Sequence, residues 1–517
     1  MIRHLFTVST GTLASRLLGF TRDALMAALL GAGPVADAFL VAFQLVNVAR
    51  RLLTEGALNA ALVPAYWRVR NRDGIAAAAA FAGRVLGTVS LAVFAATALI
   101  GLVMPLVIAA LAPGFVGQPA FLLAIGNARL MLPYLAFAGP VTVMMALLNA
   151  QHRFALTAFS PLLFNAALIA TTIALLLRPH DAALAALALA ATVGIAGLLQ
   201  LLVLATRNGG IATPIRVSFN KEMRGFLGSA VPGMIASASP QLLIVAAAII
   251  ASHSPAAVSW LYFANRLIEL PLGIVGVAMG TVLVPELTRA ALSEDAGSFA
   301  QTASRGLELA IGLALPATLG LMLLSAPIVR LLFEHGAFTA SDSRATAQAL
   351  TWLAAGLPAH VLFKALAPAF FARGDTTTPW LATLCGLGVT VAAALALGPR
   401  FGASGIAASI ALAAWVAALA LILLGRTRFD FNLDAMARRR LPRIVAATAI
   451  MAGLLWLAAN RLLPEGDTAT LVWPAARLGM LMVAAMAAYG LALRAFGVID
   501  GVAALRARRQ APRDLRR

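Results

Sequence analysis

Residues 15–64 read SRLLGFTRDALMAALLGAGPVADAFLVAFQLVNVARRLLTEGALNAALVP. The stretch is long and apolar enough to cross a bilayer twice, since about 20 apolar residues span the hydrocarbon core. It nevertheless contains Arg16, Arg22, Arg50 and Arg51. An arginine at the centre of a spanning helix costs about 2.5–3.5 kcal/mol on insertion scales, so such residues normally face a water-filled cavity on a substrate pathway.

A fifth arginine, Arg266, lies in another apolar stretch of the second half of the chain. Positive charge that is gathered in a cavity attracts anions. We therefore expect the chain to enclose a cationic cavity and to handle an anionic substrate.

The composition is that of a polytopic membrane protein. The 517 residues are 61% hydrophobic and 11% charged, whereas soluble proteins have about 25% charged residues. The hydrophobicity pattern predicts an all-α chain with about 14 transmembrane helices. The apolar stretches are about 8–30, 35–64, 78–110, 120–148, 158–177, 183–205, 224–250, 255–284, 299–325, 344–371, 379–397, 403–424, 443–460 and 471–493.

The basic residues predict the orientation of these helices. They gather in alternate connections, with the largest groups at 68–84, 207–224, 426–443 and 494–517. Few lie in the intervening connections, which hold Arg178, Arg330, Arg400 and Arg461. The positive-inside rule therefore predicts a multi-pass membrane protein with both termini in the cytoplasm. The same rule accounts for the net charge of +19, so we do not expect nucleic-acid binding.

The chain is expected to contain two lobes of six helices around a central cavity, with two further helices at the end. A polar linker between the lobes contains Gly209, Gly210 and Pro214. The run Arg438–Arg440 precedes the last two helices, where it either anchors the topology or binds anionic lipid. The expected parts are an N-terminal lobe (1–206), a cytoplasmic linker (207–223), a C-terminal lobe (224–425), a basic loop (426–442), helices 13 and 14 (443–496) and a basic tail (497–517).

Helical spacing distributes the charged residues of the first two helices. Arg16 and Asp23 are seven residues apart and lie on nearly one face, whereas Arg22 points about a third of a turn away. In the second helix Arg51 and Glu55 have the i, i+4 spacing of an ion pair.

That spacing leaves two interpretations of Arg51, either a structural partner of Glu55 or a substrate ligand. Arg50 has no acidic residue at this spacing, so we favour it as a ligand. Asn47 precedes Arg50 by three residues and is a candidate cavity residue.

The second half of the chain contains two further candidates. Arg266 and Glu269 are three residues apart and can pair, either as a permanent structural contact or as a pair that releases its arginine to the substrate. Pro271 follows and can kink the helix. Lys364 lies deep in an apolar stretch, where it either lines the cavity or extends its amine towards the interface.

Several function classes lack their signatures. No nucleophile–base pair, phosphate-binding glycine loop or Cys/His cluster is present, so we expect no enzymatic activity, metal site or cofactor. The lone Cys385 lies in an apolar run and is interpreted as a small core residue.

Long segments of the chain resemble the MurJ (MviN) lipid II flippases of bacteria. The resemblance begins with the opening stretch and continues at comparable spacing to about residue 425. It is carried by NAQHRFALTAFSPLLFNAALI (149–169), VSWLYFANRLIELPLGIVGVAMGTVLVPEL (258–287), HGAFTASDS (335–343), LAPAFFARGDTTTP (366–379) and GASGIAASIAL (402–412).

The resemblance implies the fold of the multidrug/oligosaccharidyl-lipid/polysaccharide exporter superfamily. The implied substrate is lipid II, an undecaprenyl-pyrophosphate-linked disaccharide pentapeptide, which the family moves from the inner to the outer leaflet by alternating access for peptidoglycan synthesis. Membrane lipids and cell-wall synthesis proteins are the other expected partners, and the resemblance implies a location in the bacterial cytoplasmic (inner) membrane. The essential cavity arginines of the family fall on Arg16, Arg22, Arg50 and Arg266, and its acidic partners on Asp37 and Glu269, with Glu55 beside the helix-2 pair.

Two departures from the family pattern stand out. Gln44 and Val46 occupy positions where many members have Lys and Pro, so the second helix is expected to be straighter and its cavity less positive. The seventh helix has no acidic residue between Arg224 and His253. The sodium-binding aspartate that some members have in this helix is therefore missing.

Three other functions compete with this interpretation. The first is export of another polyprenyl-pyrophosphate-linked oligosaccharide or of drugs. The second is a membrane enzyme that acts on the same lipid, and the short loops argue against it because they lack acidic metal ligands. The third is a scaffold in the cell-wall machinery, which would not require five arginines within the membrane.

Overall fold

A computed structural model of the chain contains α-helices and short connections. It describes residues 2–54, 57–151, 153–206, 210–237, 239–279, 283, 286–287, 289, 296–371, 373–429, 434–462 and 472–498. Among these residues there is no β-strand.

Sixteen α-helices are named below in chain order. They are α1 (Ile2–Leu30), α2 (Pro34–Thr54), α3 (Ala57–Leu102), α4 (Met104–Leu111), α5 (Pro119–Ala150), α6 (Phe154–Leu176), α7 (Ala182–Ala205), α8 (Lys221–Ser237), α9 (Ser239–Ala251), α10 (Ala257–Ala278), α11 (Ala296–Leu323), α12 (Ser325–Phe333), α13 (Ala340–Phe371), α14 (Thr377–Phe429), α15 (Ala435–Leu462) and α16 (Val472–Ala495).

The helices confirm the prediction of an all-α membrane protein. Nine helices among the described residues are long and apolar enough to cross a bilayer. Some helix ends differ from the predicted ones. A break between helices was expected after residue 64. Instead, α3 continues as far as Gly74, whose φ of 86° separates two helical segments. Gly402 divides α14 in the same way, with a φ of 54°. These conformations favour glycine, which has no Cβ.

The chain forms two compact units. Unit 1 comprises Met1–Phe263 and Phe333–Asp342, and unit 2 comprises Ala264–Leu332 and Ser343–Arg517. In unit 1, α3, α5 and α8 share an apolar core that includes Leu62, Phe81, Val143, Leu147 and Phe226. Burial of such side chains is the main favourable contribution to packing outside lipid.

The polar linker packs on α3 in an extended conformation. Thr213 N donates to the carbonyl of Ala79 at 3.2 Å and Arg216 N donates to that of Gly83 at 3.4 Å. The hydroxyl of Thr88 donates to Ser218 O at 3.1 Å and accepts from Ser218 N at 3.0 Å. These bonds satisfy backbone groups that α3 would otherwise bury, and they fix the chain immediately before α8.

Two glycines of α3 make this contact sterically feasible. A Cβ at Gly83 would lie 2.2 Å from Pro214 O, and one at Gly87 would lie 2.6 Å from Arg216 O. Arg84, between them in sequence, pairs with Glu222 of α8 at 2.7 Å. The glycines, the hydroxyl and the ion pair together hold the linker and the start of α8 on α3.

In unit 2 the last two helices pack beside α11. Arg440 of α15 pairs with Glu308 of α11 at 3.4 Å. The hydroxyl of Tyr489 of α16 donates to Gly312 O at 2.7 Å. Polar contacts between apolar helices fix their relative rotation, because lipid does not provide an alternative partner.

A second polar cluster in unit 2 joins the two ends of α14. Asp375 accepts from the backbone and hydroxyl of Thr378 at 2.9 and 2.6 Å, as an N-terminal cap does. Arg428 donates to the same carboxylate at 2.8 Å. The hydroxyl of Thr378, followed by the Arg428 guanidinium, holds the pKa of the Asp375 carboxyl below its usual range.

We predict that Gly83→Ala lowers stability by about 1–3 kcal/mol, because the new methyl group overlaps a backbone oxygen. The linker should also become a better protease substrate at the exposed Arg216. The measurements are thermal unfolding in detergent and limited trypsinolysis.

Gly228→Ala in α8 is the matched control, since a Cβ at Gly228 has nothing within 4 Å. That substitution should leave stability equal or slightly higher, because alanine favours helix. Equal stability and equal cleavage of the two variants would show that the linker is not held by this contact.

Candidate substrate-binding site

Arg22 of α1 is enclosed within unit 1, with 6% of its surface exposed. Its Nε and Nη2 both donate to Asp23 Oδ1, at 2.9 and 2.6 Å. Its Nη1 donates to Asn165 Oδ1 of α6 at 3.1 Å. The guanidinium carbon also lies 5.1 Å from the ring centre of Phe43 and 5.7 Å from that of Phe164.

This environment provides partners for a charged group that is buried away from water. Two aromatic faces attract the cation, and the amide and carboxylate accept its hydrogen bonds. Asn165 is itself held by a bond from Nδ2 to Ser15 O at 3.2 Å. Arg22 in this conformation is therefore bonded to protein groups, and a substrate anion would compete with Asp23 for it.

Asp23 is fully buried. Besides Arg22 it accepts from the hydroxyl of Tyr262, at 3.3 Å. Helical spacing placed Asp23 on the face of Arg16, and the structure adds the adjacent Arg22 as its partner. Neighbouring residues on a helix normally diverge, but a long guanidinium side chain can fold back onto the preceding or following position.

The other expected arginines of unit 1 are partly exposed. Arg16 lies on α1, and Arg50 and Arg51 lie on α2 with Asn47. Glu55, the expected partner of Arg51, lies outside the described residues, so the Arg51–Glu55 pair stays a prediction.

Asp37 is buried at the start of α2 and caps another helix. It accepts from the backbone N of Ser259 at 2.8 Å and from the Ser259 hydroxyl at 2.5 Å, in the first turn of α10. A carboxylate at a helix N-terminus satisfies free N–H groups and interacts favourably with the helix dipole. Asp37 therefore connects the start of α2 to the start of α10.

The turn before α13 and the start of α13 make further contacts, with α1 and α10. Ala337 N donates to Ala28 O of α1 at 2.8 Å. Asp342 accepts from the indole of Trp260 at 3.0 Å and from Thr339 N at 2.9 Å. Hydrogen bonds thus link the first turns of α2, α10 and α13, and the turn before α13 also bonds to α1.

Arg266 and Glu269 of α10, in unit 2, form the pair that their spacing predicts. The Nη1–Oε2 distance is 2.8 Å, and the side chains are 25% and 30% exposed. A partly exposed pair is weaker than a buried one, because water screens both charges. Exchange of one partner for a substrate phosphate therefore costs less here than at Arg22.

Lys364 of α13 lies against the same helix. Its Nζ is 3.8 Å from the position that a Cβ would occupy on Gly276. Gly276 follows Glu269 by seven residues and hence lies on nearly the same face. The exposed Lys364 amine is thus directed at the α10 face that bears Glu269.

The described part of the site consists of basic side chains with their carboxylate, amide and aromatic partners. Among the described residues no three His, Cys, Asp or Glu side chains are grouped as metal ligands. Sequence reasoning missed Asn165, Phe43, Phe164 and Tyr262, because each is an ordinary residue until the fold brings it to Arg22 or Asp23.

A comparison with known families decides what kind of protein contains this arrangement. A profile of the family described as Lipid II flippase MurJ matches residues 26–476.

The chain belongs to the MurJ family of lipid II flippases.

Curated relatives agree with this assignment. The Probable lipid II flippase MurJ of Rhizobium meliloti (strain 1021) is 39% identical over 499 residues, which cover 95% of this chain and 92% of the relative. The Lipid II flippase MurJ of Burkholderia cenocepacia is 34% identical over 472 residues, which cover 89% of this chain and 90% of the relative. The MurJ resemblance of the sequence is thereby confirmed.

Solved structures share the fold. A structure described as Lipid II flippase MurJ, inward closed conformation, has a TM-score of 0.77 and 22% identity and covers 94% of this chain and 98% of its own. An inward-facing multidrug resistance MATE family transporter of the MOP superfamily has a TM-score of 0.67 and 15% identity, with coverage of 80% and 94%. The expected superfamily fold of a MurJ chain is present.

We predict that Asp23→Asn lowers stability by about 3–5 kcal/mol, because the buried Arg22 then has no counter-charge on that side. The measurement is thermal unfolding of the detergent-purified chain.

Asp73→Asn supplies the matched control, since Arg72 and Asp73 are also adjacent and pair at 2.7 Å, but on the surface. That substitution should leave the unfolding temperature nearly unchanged. Equal losses in the two variants would argue that burial of the Arg22–Asp23 pair has no special importance.

Proposed function

We propose that the chain moves lipid II from the inner to the outer leaflet of the cytoplasmic membrane by alternating access, for peptidoglycan synthesis. The observation that carries the proposal is a set of arginines on α1, α2 and α10 in a chain of the MurJ family. The pyrophosphate of the substrate is the group that such a set would bind.

Arginine suits this ligand for a physical reason. Its planar guanidinium can donate two parallel hydrogen bonds to a phosphate, whereas lysine acts as a point charge. Arg16, Arg22, Arg50 and Arg266 are the proposed substrate ligands. Asp23, Asp37, Asn47, Arg51, Glu55, Glu269 and Lys364 are proposed to line the cavity or to control its opening.

We propose that the carboxylates of two arginine–carboxylate pairs compete with the substrate for the arginines. Arg22 is held by Asp23 and Arg266 by Glu269. A substrate can release either arginine only if it binds the released conformation more tightly than the paired one. The acids therefore keep the cavity charges balanced when no substrate is present.

The membrane orientation follows from the basic connections, with both termini in the cytoplasm. In this orientation the contacts of Asp37 and Ala337 lie at the periplasmic end of unit 1, and we propose that they close it. The described conformation then corresponds to the state before release, and these contacts must break for lipid II to leave.

A neighbouring candidate is export of a different polyprenyl-pyrophosphate-linked oligosaccharide. The same arginines would bind its pyrophosphate, so the charge pattern alone permits this substrate. Discrimination between the two would come from the sugar and peptide moieties.

We predict that alanine at Arg16, Arg22, Arg50 or Arg266 abolishes growth of a flippase-depleted bacterium, because each change removes a proposed pyrophosphate ligand. Lysine at the same positions should restore growth in part, since the charge remains and the bidentate geometry is lost. The measurement is complementation, with membrane abundance determined for each variant.

Arg70→Ala is a suitable control, since Arg70 lies over the ring of Trp67 at 4.7 Å and outside the proposed ligand set. It should support growth. Normal growth with all four alanine variants at normal abundance would overturn the assignment of these ligands.

We also predict that a covalent link between positions 28 and 337 stops transport, because it prevents the closed end from opening. Cysteines at Ala28 and Ala337, in a Cys385→Ala background, would be joined with a short bifunctional thiol reagent. The substituted residues are small and already adjacent, so the substitutions themselves should be mild.

The single-cysteine chains treated with the same reagent serve as controls, and they should transport lipid II normally in liposomes. Unchanged transport by the linked double variant would mean that this end does not open during the cycle.

A further inference from the structure

A pocket of 810 Å³ lies in unit 1 where α3 meets the start of α8. Its lining contains both apolar and charged residues. The apolar residues are Ala61, Ala65, Val69, Phe81 and Phe226, and the charged ones are Arg68, Arg72, Lys221 and Glu222, with Gly225 completing the lining.

The charged residues of the lining have a net positive charge. Glu222 is paired with Arg84 at 2.7 Å, and Arg72 with Asp73 at 2.7 Å. Arg68 and Lys221 add two exposed cations to these pairs. An anion that enters the pocket therefore meets cations whose charge is not cancelled within the lining.

The pocket is placed where a membrane helix becomes polar. The apolar part of α3 before it gives way to PAYWRVRNRD at 64–73. There Arg70 stacks on Trp67. Aromatic and basic residues of this kind gather at the membrane–water interface. A ligand of the pocket would thus have its charged part in water and its apolar part beside lipid.

We propose that this pocket binds the phosphate headgroup of an anionic phospholipid. Arg68 and Lys221 hold the phosphate, and the start of the acyl chains lies against Val69, Phe81 and Phe226. The lipid joins the end of the first segment of α3 to the base of α8. The site is separate from the arginines of α1, α2 and α10, and it does not depend on the transported substrate.

The apolar residues of the lining are the reason to favour a lipid over a free phosphate. A soluble phosphate uses only the cations and leaves five apolar side chains in contact with water. A phospholipid covers them and so removes their apolar surface from water. Free phosphate and diffuse attraction to the basic surface are the alternatives that the experiment must separate.

Gly225 allows the pocket to be filled without loss of any charge. A Cβ at Gly225 meets nothing within 4 Å, so Gly225→Leu can place its side chain in the open volume. Gly228, in the next turn of α8, is equally open and does not line the pocket. Gly228→Leu is therefore the control with the same chemistry at a neighbouring position.

A second pair of variants tests the charges. Arg68→Gln with Lys221→Gln removes the two cations of the pocket. Arg70→Gln with Arg224→Gln removes two cations from the same helices outside the lining. Both double variants have the same net charge, so they separate a local site from the general field of the surface.

The measurement is native mass spectrometry of the full chain in detergent. It would be titrated with phosphatidylglycerol, with phosphatidylcholine of the same acyl chains, and with glycerol 3-phosphate. The wild-type chain should bind one phosphatidylglycerol with clear preference over phosphatidylcholine, and should bind glycerol 3-phosphate far more weakly. The preference should fall about tenfold in the Arg68/Lys221 variant and in Gly225→Leu, and remain in both controls.

Three results would overturn the proposal. Equal losses in the two charge variants, with Gly225→Leu unaffected, would mean diffuse electrostatic attraction. Glycerol 3-phosphate binding as tightly as the lipid would mean a free-phosphate site. Equal binding of the two phospholipids by the wild-type chain would mean that the pocket does not select an anionic headgroup.

Discussion

The constraint on which the structure depends is that a buried guanidinium must have partners. Arg22 shows how it is met, since a carboxylate, an amide and two aromatic faces surround the cation. Each partner comes from a different position in the fold, so α1, α2 and α6 must pack in one register for the charge to be tolerated. A chain that keeps such a group has accepted a large desolvation cost, and transport of an anion supplies the reason.

The same need for partners connects the structure to the proposed transport cycle. A buried ion pair with good geometry is stable, but its arginine is available to a substrate once an anion can replace the carboxylate. Arg266 and Glu269 repeat this arrangement in unit 2 with more exposure to solvent. Asp37, by contrast, binds a helix end through Ser259, so its carboxylate acts on backbone and hydroxyl donors. The acids in these helices therefore have two kinds of partner, arginines in two cases and the first turn of a helix in the third.

The sequence alone predicts the features that depend on composition and local spacing. Apolar stretches predicted an all-α membrane protein, and the three-residue spacing predicted the Arg266–Glu269 pair. Contacts between distant segments were beyond such reasoning. Asn165 is 143 residues from Arg22, and Ser259 is 222 residues from Asp37. The glycines at 83 and 87 likewise resemble ordinary helix-packing residues until the linker is seen on them. Glycine at 74 joins two helical segments where a loop was expected, because a single positive φ suffices to turn the chain.

The central claim is that this chain itself moves lipid II across a bilayer. The most direct test is reconstitution of the purified wild-type chain into liposomes that contain labelled lipid II. A reagent that cannot cross the membrane reports the labelled lipid in the outer leaflet over time. The account predicts that the inner pool becomes accessible in the presence of the chain and stays inaccessible with Arg50→Ala. Equal accessibility with the wild-type chain, the variant and empty liposomes would contradict it.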